Sequence, residues 1–184
     1  DYNGFGELIW QEDAKGQTSI MEYDGLGRML RRTERLADGS VEGHTRWYYD
    51  TDSDGTGAMT GSGQLGKLAG VVMSADSCDE TCSLSNYCKL YTYDSLGRAT
   101  DTEYALPGSK EWFGSQLAFD ALGRVDSSYD TLNGKVSFDR ADDTGLGGDN
   151  WGVQNVYNDY GFLDSIKDIH SDKTLYQIKG TNVR

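Results

Sequence analysis

The hexapeptide YDGLGR at positions 23–28 recurs as YDSLGR at 93–98 and as FDALGR at 119–124. Three degenerate copies keep the same order of residue types: YNGFGE at 2–7, YNDYGF at 157–162, and a stretched copy that runs from Tyr49-Asp50 to Leu65-Gly66-Lys67. Six copies in one chain are the kind of internal similarity that defines repeat architectures. We therefore begin the analysis of the fold with this signature.

Each copy has the composition of a β-hairpin turn. An Asp or Asn at the second position can accept hydrogen bonds from the backbone two residues on, and the closing glycine can adopt the positive φ of a hairpin loop with a bulge. The aromatic residue enters the turn and the arginine leaves it. The repeat-turn residues to which we assign a structural role are Tyr23, Asp24, Gly27, Arg28, Tyr93, Asp94, Gly97, Arg98, Phe119, Asp120, Gly123 and Arg124.

Between the signatures lies a second set of turn signals, each flanked by strand-like segments. These signals are Lys15-Gly16, Asp38-Gly39, Pro107-Gly108 and Asn133-Gly134. The alternation of two kinds of turn predicts an all-β fold, an antiparallel meander of hairpins. We expect one repeat array over 1–184, with inserts near 51–62 and 74–88.

The composition agrees with many tight turns that join short, half-exposed strands. The chain has 24 Gly, 12 Tyr and a single Pro, and only 36% of its residues are hydrophobic. A sheet of this kind cannot bury a thick core of its own, and repeat units that contact mainly their neighbours require a longer array. Because the chain begins at Asp1 without a Met, we expect it to be a segment of a longer polypeptide.

The charge of the chain excludes two classes of partner. With 17 basic and 30 acidic residues, the net charge of −13 repels phosphates, and no cluster of Lys and Arg offsets it. Nucleic acid and anionic membrane surfaces are therefore not expected partners. The longest apolar run, at 69–73, is far too short to cross a bilayer.

The sequence lacks the motifs of the common catalytic sites. It has no Gly-x-Ser-x-Gly elbow, no His-Glu-x-x-His and no phosphate-binding loop, and it contains only two histidines. Chance pairs among 30 carboxylates carry no information about a site. We therefore predict that the chain is not an enzyme and has no catalytic residues and no cofactor.

One acidic stretch resembles a calcium loop. Asp50, Asp52 and Asp54 alternate before Gly55, as the ligands at positions 1, 3 and 5 of such loops do. The twelfth position is Gly61, where a bidentate Glu is expected, so any calcium site here is weak. The alternative is a solvated acidic insert in a stretched turn.

Three cysteines, Cys78, Cys82 and Cys88, fall within one polar stretch that we expect to be an exposed loop. An odd number fits a disulfide with a spare thiol, or a partner elsewhere in a longer chain, and favours an oxidising compartment. Zinc would need a fourth ligand, and His44 and His170 lie far away in sequence.

The repeated Tyr-Asp-x-Leu-Gly-Arg signature resembles the YD-repeat, or Rhs, family, which includes bacterial Rhs toxins, the shell-forming components of insecticidal toxin complexes, and teneurins. The resemblance covers the chain apart from the inserts and the Gly-rich stretch near 142–152. It implies a long β-sheet that spirals into a hollow secreted shell. In bacterial members that shell encloses a toxic C-terminal domain. The family's self-cleaving core signature is not seen here; residues 143–147 echo only a fragment of it.

The resemblance implies a structural segment whose partners are the neighbouring repeats and the enclosed toxin domain. The alternative is an extracellular adhesion module that binds a glycan or a protein, as in teneurins, with Tyr and Trp faces stacking on sugars. In that alternative Arg28, Arg98 and Arg124 bind a carboxylate of the glycan.

Overall fold

A computed structural model of the chain describes residues 1–50, 65–75, 82, 85–109, 112–131 and 150–178. These residues form twelve β-strands. The strands are β1 Trp10–Glu12, β2 Thr18–Tyr23, β3 Met29–Arg35, β4 Val41–Tyr49, β5 Leu68–Ser74, β6 Tyr87–Tyr93, β7 Ala99–Ala105, β8 Trp112–Phe119, β9 Val125–Thr131, β10 Asn150–Tyr157, β11 Leu163–Asp168 and β12 Thr174–Gln177.

All twelve strands belong to one sheet, and their order in space is their order in sequence. Each strand pairs antiparallel with the next, so the all-β antiparallel meander predicted from the repeats is confirmed. Within the described part of the chain, no helix is long and apolar enough to span a membrane.

The signature turns all lie at one end of the strands. In an antiparallel meander every second connection falls at the same end, and the connections at 24–28, 50–67, 94–98, 120–124 and 158–162 are those after even-numbered strands. We call this end of the sheet the signature edge. The turns at 13–17, 36–40 and 106–109 lie at the opposite end. The predicted turn at Asn133-Gly134 is outside the described residues.

A bulge recurs at the same place in five units. The pairing register shifts beside each signature turn, and the extra residue stands three positions after the turn glycine. The five extra residues are Leu30, Ala69, Thr100, Asp126 and Asp164. A bulge bends its strand and increases the local twist. The repeat therefore sets a regular distortion of the sheet as well as its turns.

The core is thin, as the composition predicted. Val72, Cys88 and Ala105 lie opposite one another on neighbouring strands and are at most 2% exposed. Tyr48, Leu90 and Trp112 are among the partly buried side chains that pack against them. The other described hydrophobic residues that are fully buried are Met21 and Ala69.

The expectation of three cysteines in one exposed loop is wrong for Cys88. This residue lies in β6, where its side chain faces Val72 and Ala105 and is 0% exposed. A disulfide joins it to Cys82. The insert expected at 74–88 is also shorter at both ends, because Ser74 belongs to β5 and Tyr87 to β6. Cys78 lies outside the described residues.

Reduction of the Cys82–Cys88 disulfide should lower the free energy of unfolding by about 2 kcal/mol, because the bridge restricts the unfolded chain. Urea denaturation with and without a thiol reductant measures the effect. The control is Cys82→Ser, on which the reductant should have no further effect. Equal stability of the oxidised and reduced wild type would contradict a stabilising role for this disulfide.

Candidate functional site: the signature turns

The first complete signature turn satisfies its own backbone. The side-chain oxygen Oδ1 of Asp24 accepts hydrogen bonds from the backbone N–H groups of Leu26 and Arg28, both at 2.9 Å. The Asp24 carbonyl accepts from the Gly27 N–H at 3.0 Å, and the Asp24 N–H donates to the Arg28 carbonyl at 2.9 Å. Gly27 has φ of +78°, which a non-glycine residue adopts only with strain.

The same set of hydrogen bonds recurs along the signature edge. Asp94 and Asp120 accept from the backbone N–H groups two and four residues later, at 2.9–3.0 Å. Asn3 and Asn158 do the same in the degenerate copies, at 3.0–3.1 Å. Because these contacts need only a side-chain oxygen, Asn replaces Asp without a change in the turn.

A charged pair accompanies the aspartate copies. The guanidinium of Arg28 lies 2.6 Å from the Asp24 carboxylate, and Arg98 and Arg124 make the same contact with Asp94 and Asp120 at 2.6 and 2.7 Å. In the asparagine copies the residue four positions on is Glu7 or Phe162. The three contiguous aspartate copies therefore pair their carboxylate with an arginine, the stretched copy has Lys67 in that place, and the asparagine copies carry no basic residue there.

The turn lowers the pKa of its aspartates. For Asp24 and for Asp94 the main cause is the hydrogen bond from the backbone N–H of the arginine four residues on, and the guanidinium of that arginine adds to it. Both contacts favour the charged carboxylate. The aspartates thus remain ionised under acidic conditions that neutralise an ordinary carboxyl group.

Each of these arginines also contacts the next signature along the edge. The guanidinium carbon of Arg98 lies 4.1 Å from the centroid of the Phe119 ring, and Arg124 stands 4.0 Å from that of Tyr157. Arg28 makes the same contact with Tyr49 at 4.5 Å. A cation over an aromatic face at this distance is attracted by the ring. The arginine of one unit therefore holds the aromatic residue of the following unit.

The signature tyrosines contact the backbone of the preceding unit. The hydroxyl groups of Tyr23, Tyr93 and Tyr157 each donate to a backbone carbonyl at 2.8 Å. The acceptors, Leu8, Leu68 and Val125, all stand two residues after the turn glycine of the preceding unit. Sequence reasoning missed this contact because a backbone acceptor leaves no residue pattern.

The stretched copy keeps the arginine contact between units. Asp50, at φ of +59°, accepts a hydrogen bond from Arg28 Nη1 at 2.7 Å through Oδ2, and Oδ1 accepts from the Gly66 N–H. Of the three aspartates considered as calcium ligands, Asp52 and Asp54 lie outside the described residues. Among the residues that the structure describes, no group of three or more His, Cys, Asp or Glu is placed to hold a metal ion.

A second polar contact lies within the sheet. Thr33 Oγ1 is 3.0 Å from Nδ1 of His44 on the neighbouring strand, and Arg31 Nη2 is 3.2 Å from the same nitrogen. A hydroxyl beside an imidazole resembles a nucleophile and its base. Thr33 and His44 are however only 8% and 7% exposed, so a substrate cannot reach them in this conformation.

No family model matches the chain, and no curated protein matches it. Solved structures that are similar include the Tc holotoxin pore of Photorhabdus luminescens, at 15% identity over 95% of the chain with a TM-score of 0.43. A TcdB2-TccC3-Cdc42 structure matches at 18% identity over 97% with a TM-score of 0.45. The chain spans about 9% of the length of each matched chain. The first of these structures is of a holotoxin pore, and a likeness at these identities concerns the fold alone.

Phe119 cannot make the tyrosine contact, because its side chain has no hydroxyl group. The preceding unit offers the carbonyl of Ala99, two residues after Gly97, in the position of the three observed acceptors. Phe119→Tyr should therefore raise the free energy of unfolding by about 1 kcal/mol, the net value of one hydrogen bond. The matched variant Tyr93→Phe should lower it by a similar amount. Urea denaturation measures both, and a destabilised Phe119→Tyr would argue against a common geometry.

The lowered pKa values of Asp24 and Asp94 predict how stability depends on pH. Their contribution is fully present above the ordinary Asp pKa of about 3.9 and is lost as the pH falls through the lower value of the folded state. The double variant Asp24→Asn, Asp94→Asn keeps the turn acceptors, as Asn3 and Asn158 do. Its stability should therefore fall less steeply than that of the wild type below about pH 4. Parallel urea-denaturation profiles for the two proteins would show that these carboxylates do not contribute.

Proposed function

We propose that this chain is a structural segment of a large secreted YD-repeat protein of the toxin type, in which it forms part of a β-sheet shell around a toxic C-terminal domain. The observation that supports this proposal is the reciprocal contact between units. An arginine reaches forward to the next aromatic ring, and a tyrosine reaches back to the preceding backbone. These contacts position one turn against the next, and through them the repeat residues of successive units bind to one another.

A continuous meander is suited to act as a wall. Adjacent strands lie about 4.8 Å apart, so eleven strand spacings extend over roughly 50 Å. Within a sheet the backbone groups are already paired with neighbouring strands. A protease therefore cannot bind this backbone in the extended form that it cleaves. The recurring bulges add twist at each unit, as a sheet that curves around a cargo requires.

The proposed partners follow from the sheet itself. The strands β1 and β12 form the two ends of the described sheet; Asp1 bonds to Trp10 on the outer side of β1, and strand edges that stay unpaired recruit further strands. Neighbouring repeats of the same array would pair with these edges, so that 1–184 is one part of a single array. The enclosed toxin domain is the second partner.

The alternative function is an extracellular module for a glycan or a protein. Trp151 and Tyr176, 44% and 55% exposed, are aromatic faces that could stack on a sugar. The three signature arginines support the structural proposal instead, since each is held by an aspartate and by the next aromatic ring. Binding to a glycan array that is lost in Trp151→Ala would favour the module.

Replacement of the turn glycines should open the wall. In the full-length protein that carries this segment, Gly27→Val, Gly97→Val and Gly123→Val together place β-branched residues at φ of +75° to +81°. Limited proteolysis should then cleave the enclosed domain at least ten times faster than in the wild type.

The matched control changes the second loop position of the same turns, with Gly25→Val, Ser95→Val and Ala121→Val. These positions are not among those with positive φ, so the control should leave the enclosed domain protected. Equal protection of the domain in both triple variants would show that the turns do not hold the wall together.

A further inference from the structure

The residue before each turn glycine is a large hydrophobic side chain that points into solvent. All six are at least 75% exposed: Phe5, Leu26, Leu65, Leu96, Leu122 and Tyr160. The turn itself does not need an apolar group here, because its hydrogen bonds come from the backbone and from the Asp or Asn. An apolar residue that recurs six times at one exposed position indicates an interaction surface.

These six side chains form a row along the signature edge. Successive signature turns are two strands apart, so neighbouring members of the row are separated by about 10 Å. The residue before the row member in the chain is small in four of the turns, where it is Gly4, Gly25, Ser95 or Ala121, and it is Asp159 in the last. The surface is therefore a series of apolar ridges with gaps about as wide as one leucine side chain. A second row with the same spacing is complementary to this surface, because each apolar side chain of one row enters the gap between two side chains of the other row.

The charges of this edge also favour a copy of itself. Across the six signatures the net charge is only −2, because six acidic residues are set against four basic ones: Glu7, Asp24, Asp50, Asp94, Asp120 and Asp159 against Arg28, Lys67, Arg98 and Arg124. The whole chain, by contrast, has a net charge of −13. Two copies that meet at this edge therefore bring together much less like charge than the net charge of the whole chain would suggest.

The exposed apolar area is sufficient for a specific contact. Six side chains of this size, each three-quarters or more exposed, present on the order of 800 Å². One partner of a standard stable interface buries about 800 Å². We propose that the signature edge is a homotypic docking surface, on which the apolar row of one copy of this chain interlocks with the same row of a second copy. This proposal does not depend on the function proposed above.

Sedimentation velocity of the 184-residue chain over a range of concentrations tests the proposal. The wild type should dimerise, and the triple variant Leu26→Ser, Leu96→Ser, Leu122→Ser should dimerise at least 100-fold more weakly. The matched control is Leu175→Ser, Tyr176→Ser, which removes exposed apolar groups from the last strand and should leave the dimer unchanged. Circular dichroism checks that each variant keeps its β-sheet.

Two results would overturn the proposal. One is a wild type that remains monomeric up to about 100 μM, because an interface of standard size has a dissociation constant in the micromolar range or below. The other is a dimer that is lost in the Leu175→Ser, Tyr176→Ser control and retained in the triple variant, because the chains would then associate through the strand edge.

A crosslinking measurement covers the case in which the triple variant fails to fold. Leu96→Cys places a thiol in the apolar row, and Ser40→Cys places one in an exposed turn at the opposite end of the strands. A short bis-maleimide should link two copies of Leu96→Cys at least ten times more than two copies of Ser40→Cys. Equal or reversed yields would contradict docking through the signature edge.

Discussion

The hydrogen bonds that an Asp or Asn side-chain oxygen accepts from two backbone N–H groups are the interaction on which this fold depends. Each closes a turn within five residues, with a glycine at positive φ to complete it. At the opposite end of the sheet Asp13 makes the same pair of contacts, to the N–H groups of Lys15 and Gln17 at 2.8 and 2.9 Å. Because every such turn is satisfied locally, the spacing between turns can vary without loss of the fold.

Stability in this sheet comes from contacts between neighbouring units more than from a central core. Few described side chains are fully buried, and the central group is formed by Val72, Cys88 and Ala105. The arginine and tyrosine contacts compensate by joining successive turns on the edge of the sheet. Such energetics are close to those of other repeat proteins, in which each unit interacts with its nearest neighbours.

Each signature arginine makes two contacts at once. It pairs with the aspartate of its own turn and covers the aromatic ring of the next unit. It also lies against the following turn glycine, since a Cβ atom on Gly123 would stand 3.2 Å from Arg98 Nη1. A side chain at this glycine would therefore meet both an unfavourable φ and the guanidinium. Positive φ explains the glycine in every copy, and close packing adds to it at Gly27, Gly123 and Gly161, whereas a Cβ on Gly6 or Gly66 would meet no atom within 4 Å.

The sequence by itself determined the turns, the meander and the thin core, because each follows from local rules: an oxygen acceptor, a glycine, and strands of similar length between them. Only the tertiary structure decided which units touch. Arg98 reaches Phe119 after 21 residues and Arg124 reaches Tyr157 after 33, so no fixed spacing reveals the partner. Burial of Cys88 likewise depends on the strand register, which places it between Val72 and Ala105. The signature leucines stay exposed for a related reason: a turn residue projects beyond the ends of the strands, where the sheet has no face to cover it.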